Sequence, residues 1–419
     1  MGTKVLISGA GIAGPALALW LGRYGFEVTV AEAAPQLRGG GQAVDFRGAT
    51  HLTVLERMGV LDDLRRIRTG GSPMRFVDES GRTRLHLPAE FAGGDVEVLR
   101  GDLVRVLYEH SRPFTDYRFG ESVTALRQDA DGVHVRFRGG EARTFDLVVG
   151  ADGLHSNVRR LAHGPEERYV THLGHYAAGW SLPNYLGIGP GEGSVGLNVP
   201  GRFASVGTSH RDPETAGAFF VFASPALTYD RHDQERQKAI IAGAFAGTGW
   251  EVPRLLASLA EAEDLYFDSI SRADVPNWST GRVALVGDAA CGATIGGMGT
   301  GTAIVAAYVL AGELAAAAGE HTAGDHTAAF ARYEGLLRGY ARGCQKGGDR
   351  AGRFLAPGAV GLRLRDWSLN RPRILDWMSE EGRKATHLDL PDYRRFETAS
   401  GARRDGVGTP LSTPGRPRR

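Results

Sequence analysis

Apolar residues fall into a short β-branched run from Lys4 to Ser8 (KVLIS) and a second from Phe26 to Ala31 (FEVTVA). Between them an Ala/Leu-rich stretch runs through Arg23 with helical character, so a β-α-β unit with parallel strands is predicted. Apolar and charged positions alternate at helical spacing from Thr50 to Arg68 and from Asp102 to Glu109. Val133 to Phe137 alternates like a half-exposed strand, whereas Asp146 to Val149 contains the continuous apolar run of a buried one. From Tyr169 to Ser271 the pattern changes to short aromatic-rich runs (His175–Trp180, Ser194–Val199, Phe219–Ala223) punctuated by Gly, Pro and Asn, which predicts antiparallel sheet. Arg282 to Val286 (RVALV) returns to the buried-strand pattern, followed by a Gly-rich turn, a long Ala-rich helix and helical material through about Glu381. The fold class is therefore α/β, a Rossmann-like unit interrupted by a β-rich insertion.

Composition narrows the function classes. Lys plus Arg is 49 and Asp plus Glu is 48, a net charge of +1, whereas a nucleic-acid binder carries a strong basic excess. Glycine, 60 of 419 residues, is about twice as frequent as the usual ~7%, which points to many tight turns. Cys291 and Cys344 are too far apart for a CxxC pair, so no structural metal or disulfide framework is expected. The chain starts directly in a strand-like segment without a signal peptide pattern, and Leu6 stands where myristoylation needs Ser or Thr. The apolar stretch Ala303–Ala318 contains Gly312 and Glu313 and is short for a bilayer. A cytoplasmic protein with no membrane partner is expected. The tail from Arg394 holds seven arginines against Glu397 and Asp405 and is expected to be disordered.

Gly9-Ala10-Gly11-Ile12-Ala13-Gly14 is a GxGxxG between a strand and a helix. Gly9 permits the tight turn, Gly11 lets the backbone approach a pyrophosphate, and Gly14 allows close helix–strand packing. The helix N-terminus offers free N–H donors to phosphates. Glu32 ends the second strand at the interval suited to a carboxylate that binds ribose hydroxyls, and an acid there favours FAD or NAD over NADP. Two further signatures follow buried strands: Asp152-Gly153 after DLVVGA, and Gly287-Asp288 after RVALV.

These three motifs in this order resemble the FAD-dependent aromatic hydroxylases, the p-hydroxybenzoate hydroxylase-like single-component flavoprotein monooxygenases, over roughly residues 3 to 345. The resemblance implies an FAD-binding domain from 1–70, 100–168 and 272–345, a β-rich substrate domain from 71–99 and 169–271, a C-terminal helical segment 346–393 and a tail 394–419. It implies that Asp288 bonds the ribityl hydroxyls and that Asp152 and Gly153 lie where the pyrophosphate and the NAD(P)H path meet. Arg100, in RGDLVRVL, corresponds to an arginine that contacts the flavin. Arg38 and Asp45, in RGGGQAVD, look like a pair in tetracycline-inactivating members, where the aspartate approaches the flavin. Gly299, Thr300 and Gly301 open the Ala-rich helix, whose N-terminus would stabilise charge on a reduced flavin. The loop departs from the family pattern, with Thr294 and Ile295 near the usual proline and Gly301 where asparagine is common.

There is no second GxGxxG unit, CxxxxC pair, HExxH or convincing nucleophile elbow. Cys291 reads as a buried structural thiol, and Trp180, Phe220 and Phe222 as sheet packing rather than a cavity lining. His175 and His210 carry no sequence feature that makes either a proton shuttle, and no catalytic residue is assigned, because the flavin carries the hard chemistry. The implied activity is an FAD-dependent monooxygenase consuming NADH or NADPH and O2. It would hydroxylate a small aromatic or polyketide-like molecule through a flavin C4a-hydroperoxide, as a monomer or homodimer. An FAD-dependent reductase or dehydrogenase of the same fold is the alternative, and a non-catalytic flavin- or ligand-binding protein the third reading.

Overall fold

The computed structural model describes residues 2–398 except 38, 40, 70, 72, 90–93, 190, 209–211, 297, 320–325 and 386. The fully buried run Val5-Leu6-Ile7 makes Lys4–Ser8 the centre of a six-stranded sheet. The strand order is Ser279–Thr280, Val283–Leu285, Leu147–Gly150, Lys4–Ser8, Glu27–Glu32, Thr115–Phe119. Every pair is parallel except the first. Ser8 lies opposite both Ala31 and Gly150, and Gly150 opposite Leu285. The turns that leave these four strands therefore open along one sheet edge, where open α/β sheets bind ligands.

The helix Ala13–Arg23 and the 21-residue helix Gly299–Gly319 pack together, and the helix His326–Leu355 packs on the second of them. Gly299–Gly319 is long and apolar enough to cross a bilayer, but it is almost wholly buried in the core. Its Glu313 carboxylate is neutralised by Arg332 Nε at 2.6 Å and accepts from Tyr393 Oη at 2.5 Å.

A seven-stranded sheet runs Tyr266–Ala273, Val170–Pro183, Thr215–Ala223, Arg202–Thr208, Ser194–Val199, Met74–Val77, Thr83–Leu87. It is antiparallel except where Met74–Val77 joins Ser194–Val199 in parallel. Alternation sorts its side chains into two faces. Tyr176, Trp180, Phe220 and Phe222 face helices Gln234–Ala244 and Val252–Glu261, in the aromatic packing expected of them. Ala177, Phe203 and Val221 face the C-terminal helices.

Several expectations need correction. The helical stretch Thr50–Arg68 is two helices, Gly48–Arg57 and Leu61–Arg66. Gly59, at φ +73°, reverses the chain between them, and the Val60 N–H bonds back to the Leu55 carbonyl. The β-rich insertion contains two helices, Gln234–Ala244 and Val252–Glu261, which cover an apolar sheet face. Val96–Leu99 pairs with Ala43–Phe46 in a separate ribbon rather than in the large sheet. Helix His326–Leu355 runs through the expected boundary at 345/346. The start of the tail is docked: Arg394–Phe396 forms a 3-10 turn, and the Thr398 N–H donates to the Arg23 carbonyl at 2.9 Å.

Candidate functional site

The GxGxxG turn sits between strand Lys4–Ser8 and helix Ala13–Arg23. Gly9 has φ +107°, and a Cβ there would lie 2.6 Å from the Ala151 carbonyl oxygen. A Cβ on Gly14 would overlap the Gly9 carbonyl oxygen, so the first helical turn rests directly on the loop. Around Gly11, in contrast, an added Cβ would meet only Arg100 Nη2, at 4.0 Å. Ala10 and Ile12 carry the chain past this opening, and Ile12 is the N-cap of a helix that Ala13 begins. The Glu32 carboxylate spans two segments, accepting from Ala10 N–H at 2.7 Å and Ala34 N–H at 2.9 Å.

The two later motifs line the same edge. Asp152 accepts from Ser8 Oγ at 3.4 Å, from Val158 N–H at 3.0 Å and from Ser156 Oγ. Burial raises its pKa, and the Ser156 and backbone donors offset part of that rise. Its carboxylate is thus committed to shaping the turn, while Gly153 at φ +80° faces open space. Arg159, fully buried, donates to the carbonyls of Ala289 (3.0 Å) and Leu154. Gly287 packs against Ala13 and Ala303, bringing Asp288 beside the first cradle. Burial raises the Asp288 pKa, and the positive charge of Arg100 opposes the rise.

Arg100 begins helix Arg100–Ser111, and its backbone N–H is fixed by the Gln42 carbonyl at 3.0 Å. Among the described residues its guanidinium has no ion-pair partner; it lies near both Gly11 and Asp288. Asp45 is paired with Arg47, two positions along. Arg38 and His210 lie outside the described residues. His175 is buried against backbone carbonyls and the C-terminal helices. Gly299, Thr300 and Gly301 form the first turn of helix Gly299–Gly319, and the space beside Gly301 is filled by the ring of His51.

Some residues here carried no separate signal in the sequence. His155 bridges the sheets, with Nδ1 2.9 Å from Glu166 Oε1 and Nε2 3.1 Å from Asp268 Oδ2. Burial works against its charged form, but the bonds to Asp268 and Glu166 outweigh it and raise His155 to about 9. Tyr266, opposite Gly179 in the large sheet, is 45% exposed yet has its hydroxyl pKa raised by burial and by Asp268, with Arg100 opposing. The charges of Arg100 and Asp288 both act on this hydroxyl. His155 and Arg159 follow the Asp-Gly pair in the sequence and were legible as part of that segment; His51 and Tyr266 were not.

The backbone opening at Gly11, a helix N-terminus with no acid in its first turn, the Glu32 carboxylate and the Arg100 cation fit an adenine dinucleotide. Residues 2–182 match the family model described as FAD binding domain. A "Flavin-dependent monooxygenase" of Legionella longbeachae is 39% identical over 351 residues, 82% of this chain and 87% of that protein. The crystal structure of tetracycline destructase Tet(51) is 32% identical, with TM-score 0.82, covering 94% of this chain and all of that one. That of tetracycline destructase Tet(55) is 35% identical, with TM-score 0.79, covering 94% and 99%.

Proposed function

The chain belongs to the flavin-dependent monooxygenases, and on that premise we propose that it takes electrons from NADH or NADPH and hydroxylates a small aromatic or polyketide-like molecule. It is an FAD-dependent oxidoreductase acting on a small molecule and O2. The observation that carries the reading is the common sheet edge, which gathers Gly11, Glu32, Arg100 and Asp288 around one opening.

Bound FAD supplies hydride acceptance and oxygen activation. The protein's part is binding and electrostatics. In this reading the N–H groups at Gly11 to Ala13 receive the pyrophosphate, Glu32, held by the Ala10 N–H, the adenosine ribose, and Asp288 the ribityl chain. Arg100 offers a cation at the same opening, and the start of helix Gly299–Gly319 presents its positive end. Asp152 and Gly153 shape the neighbouring turn, and Asp45 with Arg47 borders the site from the ribbon.

We assign the six-stranded unit to the cofactor and the seven-stranded sheet to the substrate. Gly179 supports this division, because a Cβ there would lie 3.3 Å from the Gln42 side chain, on the segment that fixes Arg100. The substrate class rests on the likeness to the tetracycline destructases. The reading is cytoplasmic, as a monomer or homodimer without nucleic-acid or membrane partners, consistent with the near-neutral charge.

The test reduces the purified holoprotein anaerobically with NADH or NADPH, then admits 18O2 with aromatic and polyketide candidates. Fast reduction by a nicotinamide and one labelled oxygen in a product support the proposal. Failure of both nicotinamides to reduce the flavin overturns the donor assignment, and labelled product only from other chemical classes overturns the substrate assignment.

A further inference from the structure

We propose that His51 is a positioning residue whose neutral ring fixes the start of helix Gly299–Gly319 relative to segment 43–47, and so sets the electrostatics of the bound flavin. The inference rests on the reading that this helix start faces the flavin.

His51 lies in helix Gly48–Arg57 and is 1% exposed. Both ring nitrogens are engaged. The backbone N–H of Arg47 donates to Nδ1 at 3.0 Å, so Nδ1 carries no proton. Nε2 then bears the proton and donates to Tyr340 Oη at 2.7 Å. Burial, with the Arg47 charge adding and Asp95 opposing, lowers the pKa to about 4 and keeps this single tautomer at neutral pH. The ring also meets Phe46 edge-on, with centroids 6.2 Å apart. One side chain therefore touches the end of the Asp45 strand and the helix His326–Leu355.

Its third contact is with Gly301. A Cβ at that position would lie 2.7 Å from His51 Nδ1 and closer still to two other ring atoms. The preceding loop is confined on its other side, where a Cβ on Gly296 would lie 2.8 Å from Ala351 Cβ. Ala351 and Tyr340 belong to the same helix. Within the loop, Met298 is held at φ +52°, a left-handed conformation that persists only when its surroundings over-determine it. Its carbonyl accepts from the Thr302 N–H at 3.0 Å and so starts the helix. An apolar residue at position 51 could fill the volume, but it would remove the ring nitrogen that accepts from the Arg47 N–H. Histidine provides the volume, one acceptor and one donor together.

A helix N-terminus stabilises nearby negative charge only over a short range, so its displacement lowers the reduction potential of the flavin. The experiment reconstitutes the full-length apoprotein with FAD. It measures FAD affinity, and the midpoint potential at saturating FAD, for His51→Ala, His51→Gln, Gly301→Ala and the double variant Gly301→Ala/His51→Ala. The two single alanine variants are each expected to bind FAD about tenfold more weakly and to have a lower potential. The double variant loses less than the two combined, because the new methyl occupies the space the ring has left. His51→Gln, with one acceptor and one donor, keeps the potential close to wild type.

A potential unchanged at saturating FAD, with only melting temperature reduced, overturns the proposal, as does simple additivity in the double variant. If His51→Ala does not fold, Tyr340→Phe decides: it removes only the hydroxyl, and an unchanged potential rejects the role. Asp288→Asn separates the two levels. Weakened FAD binding there with unmoved potentials in the His51 series keeps the site reading and rejects this one. Undiminished binding in Asp288→Asn together with unmoved potentials rejects both.

Discussion

Arg159 donates through Nη1 to the carbonyl of Ala289 at 3.0 Å, tying the turn after strand Leu147–Gly150 to the turn after Val283–Leu285. One buried guanidinium thus holds the Asp152-Gly153 and Gly287-Asp288 motifs in fixed relation, although 130 residues separate its two ends.

Replacing Arg159 by Leu orphans the buried carbonyls of Ala289 and Leu154 and removes a cation from Glu166. A loss of about 3 kcal/mol of folding stability is expected, read as a lower urea midpoint at unchanged slope. FAD affinity should fall as well, because Asp288 is carried by the released turn. Wild-type stability would show that the link is dispensable.

Two glycines separate folding from cofactor binding. Gly14→Ala forces a methyl into the Gly9 carbonyl and should destabilise the apoprotein itself. Gly11→Ala meets only Arg100 Nη2 at 4.0 Å, so the apoprotein should melt as wild type does while FAD affinity drops at least tenfold. Thermal melts of both apoproteins, paired with flavin titrations, give the comparison.

His51 makes stability sensitive to acid. Its pKa, ordinarily 6.5, is lowered to about 4 in the fold, so the unfolded chain binds its proton first as pH falls. The contribution is complete above pH 6.5 and is lost as pH falls toward 4, by roughly 3 kcal/mol. Urea titrations across this range should show a shallower pH slope for His51→Gln than for wild type. Equal slopes would mean that His51 does not titrate this way.

His155 works in the opposite sense. Raised from 6.5 to about 9, it contributes stability that is complete below 6.5 and fades as pH climbs through 9. Its partner Glu166 is opposed by burial but lowered to about 2 by His155 and Arg231, so the carboxylate side is complete above 4.5 and fails as pH approaches 2. The bridge between the sheets should be strongest between about pH 4.5 and 6.5. His155→Gln should remove the decline between pH 6.5 and 9, which denaturation measured every half unit can check.

Local chemistry was legible and remote chemistry was not. Val5-Leu6-Ile7 and the glycines that follow announce a strand and its turn within a dozen residues, and the structure places them as the pattern predicts. The helices Gln234–Ala244 and Val252–Glu261 were hidden because their partners are the aromatic face of a sheet assembled from distant strands. His51 had no signal at all, since it is a single histidine on an amphipathic helix. Its meaning comes from Gly301 and Tyr340, about 250 and 290 positions further along. The tail from Arg394 reads as solvated by composition, but Tyr393 and Phe396 pack onto the core and carry its first residues with them. Gly312 leaves the room that the Tyr393 ring occupies.

The discontinuity of the six-stranded sheet has a consequence for biosynthesis. Strand Lys4–Ser8 leaves the ribosome early, but Val283–Leu285 and the Asp288 turn beside it follow some 280 residues later, and the segment that reaches Arg23 later still. Strand Leu147–Gly150, which pairs with Lys4–Ser8 on one side, must wait with its other edge unpaired until Val283–Leu285 has been made. Such distant pairings also make folding slow. FAD uptake therefore waits until the Asp288 turn has been made, and flavin scarcity should leave a protease-sensitive apoprotein rather than truncated chains.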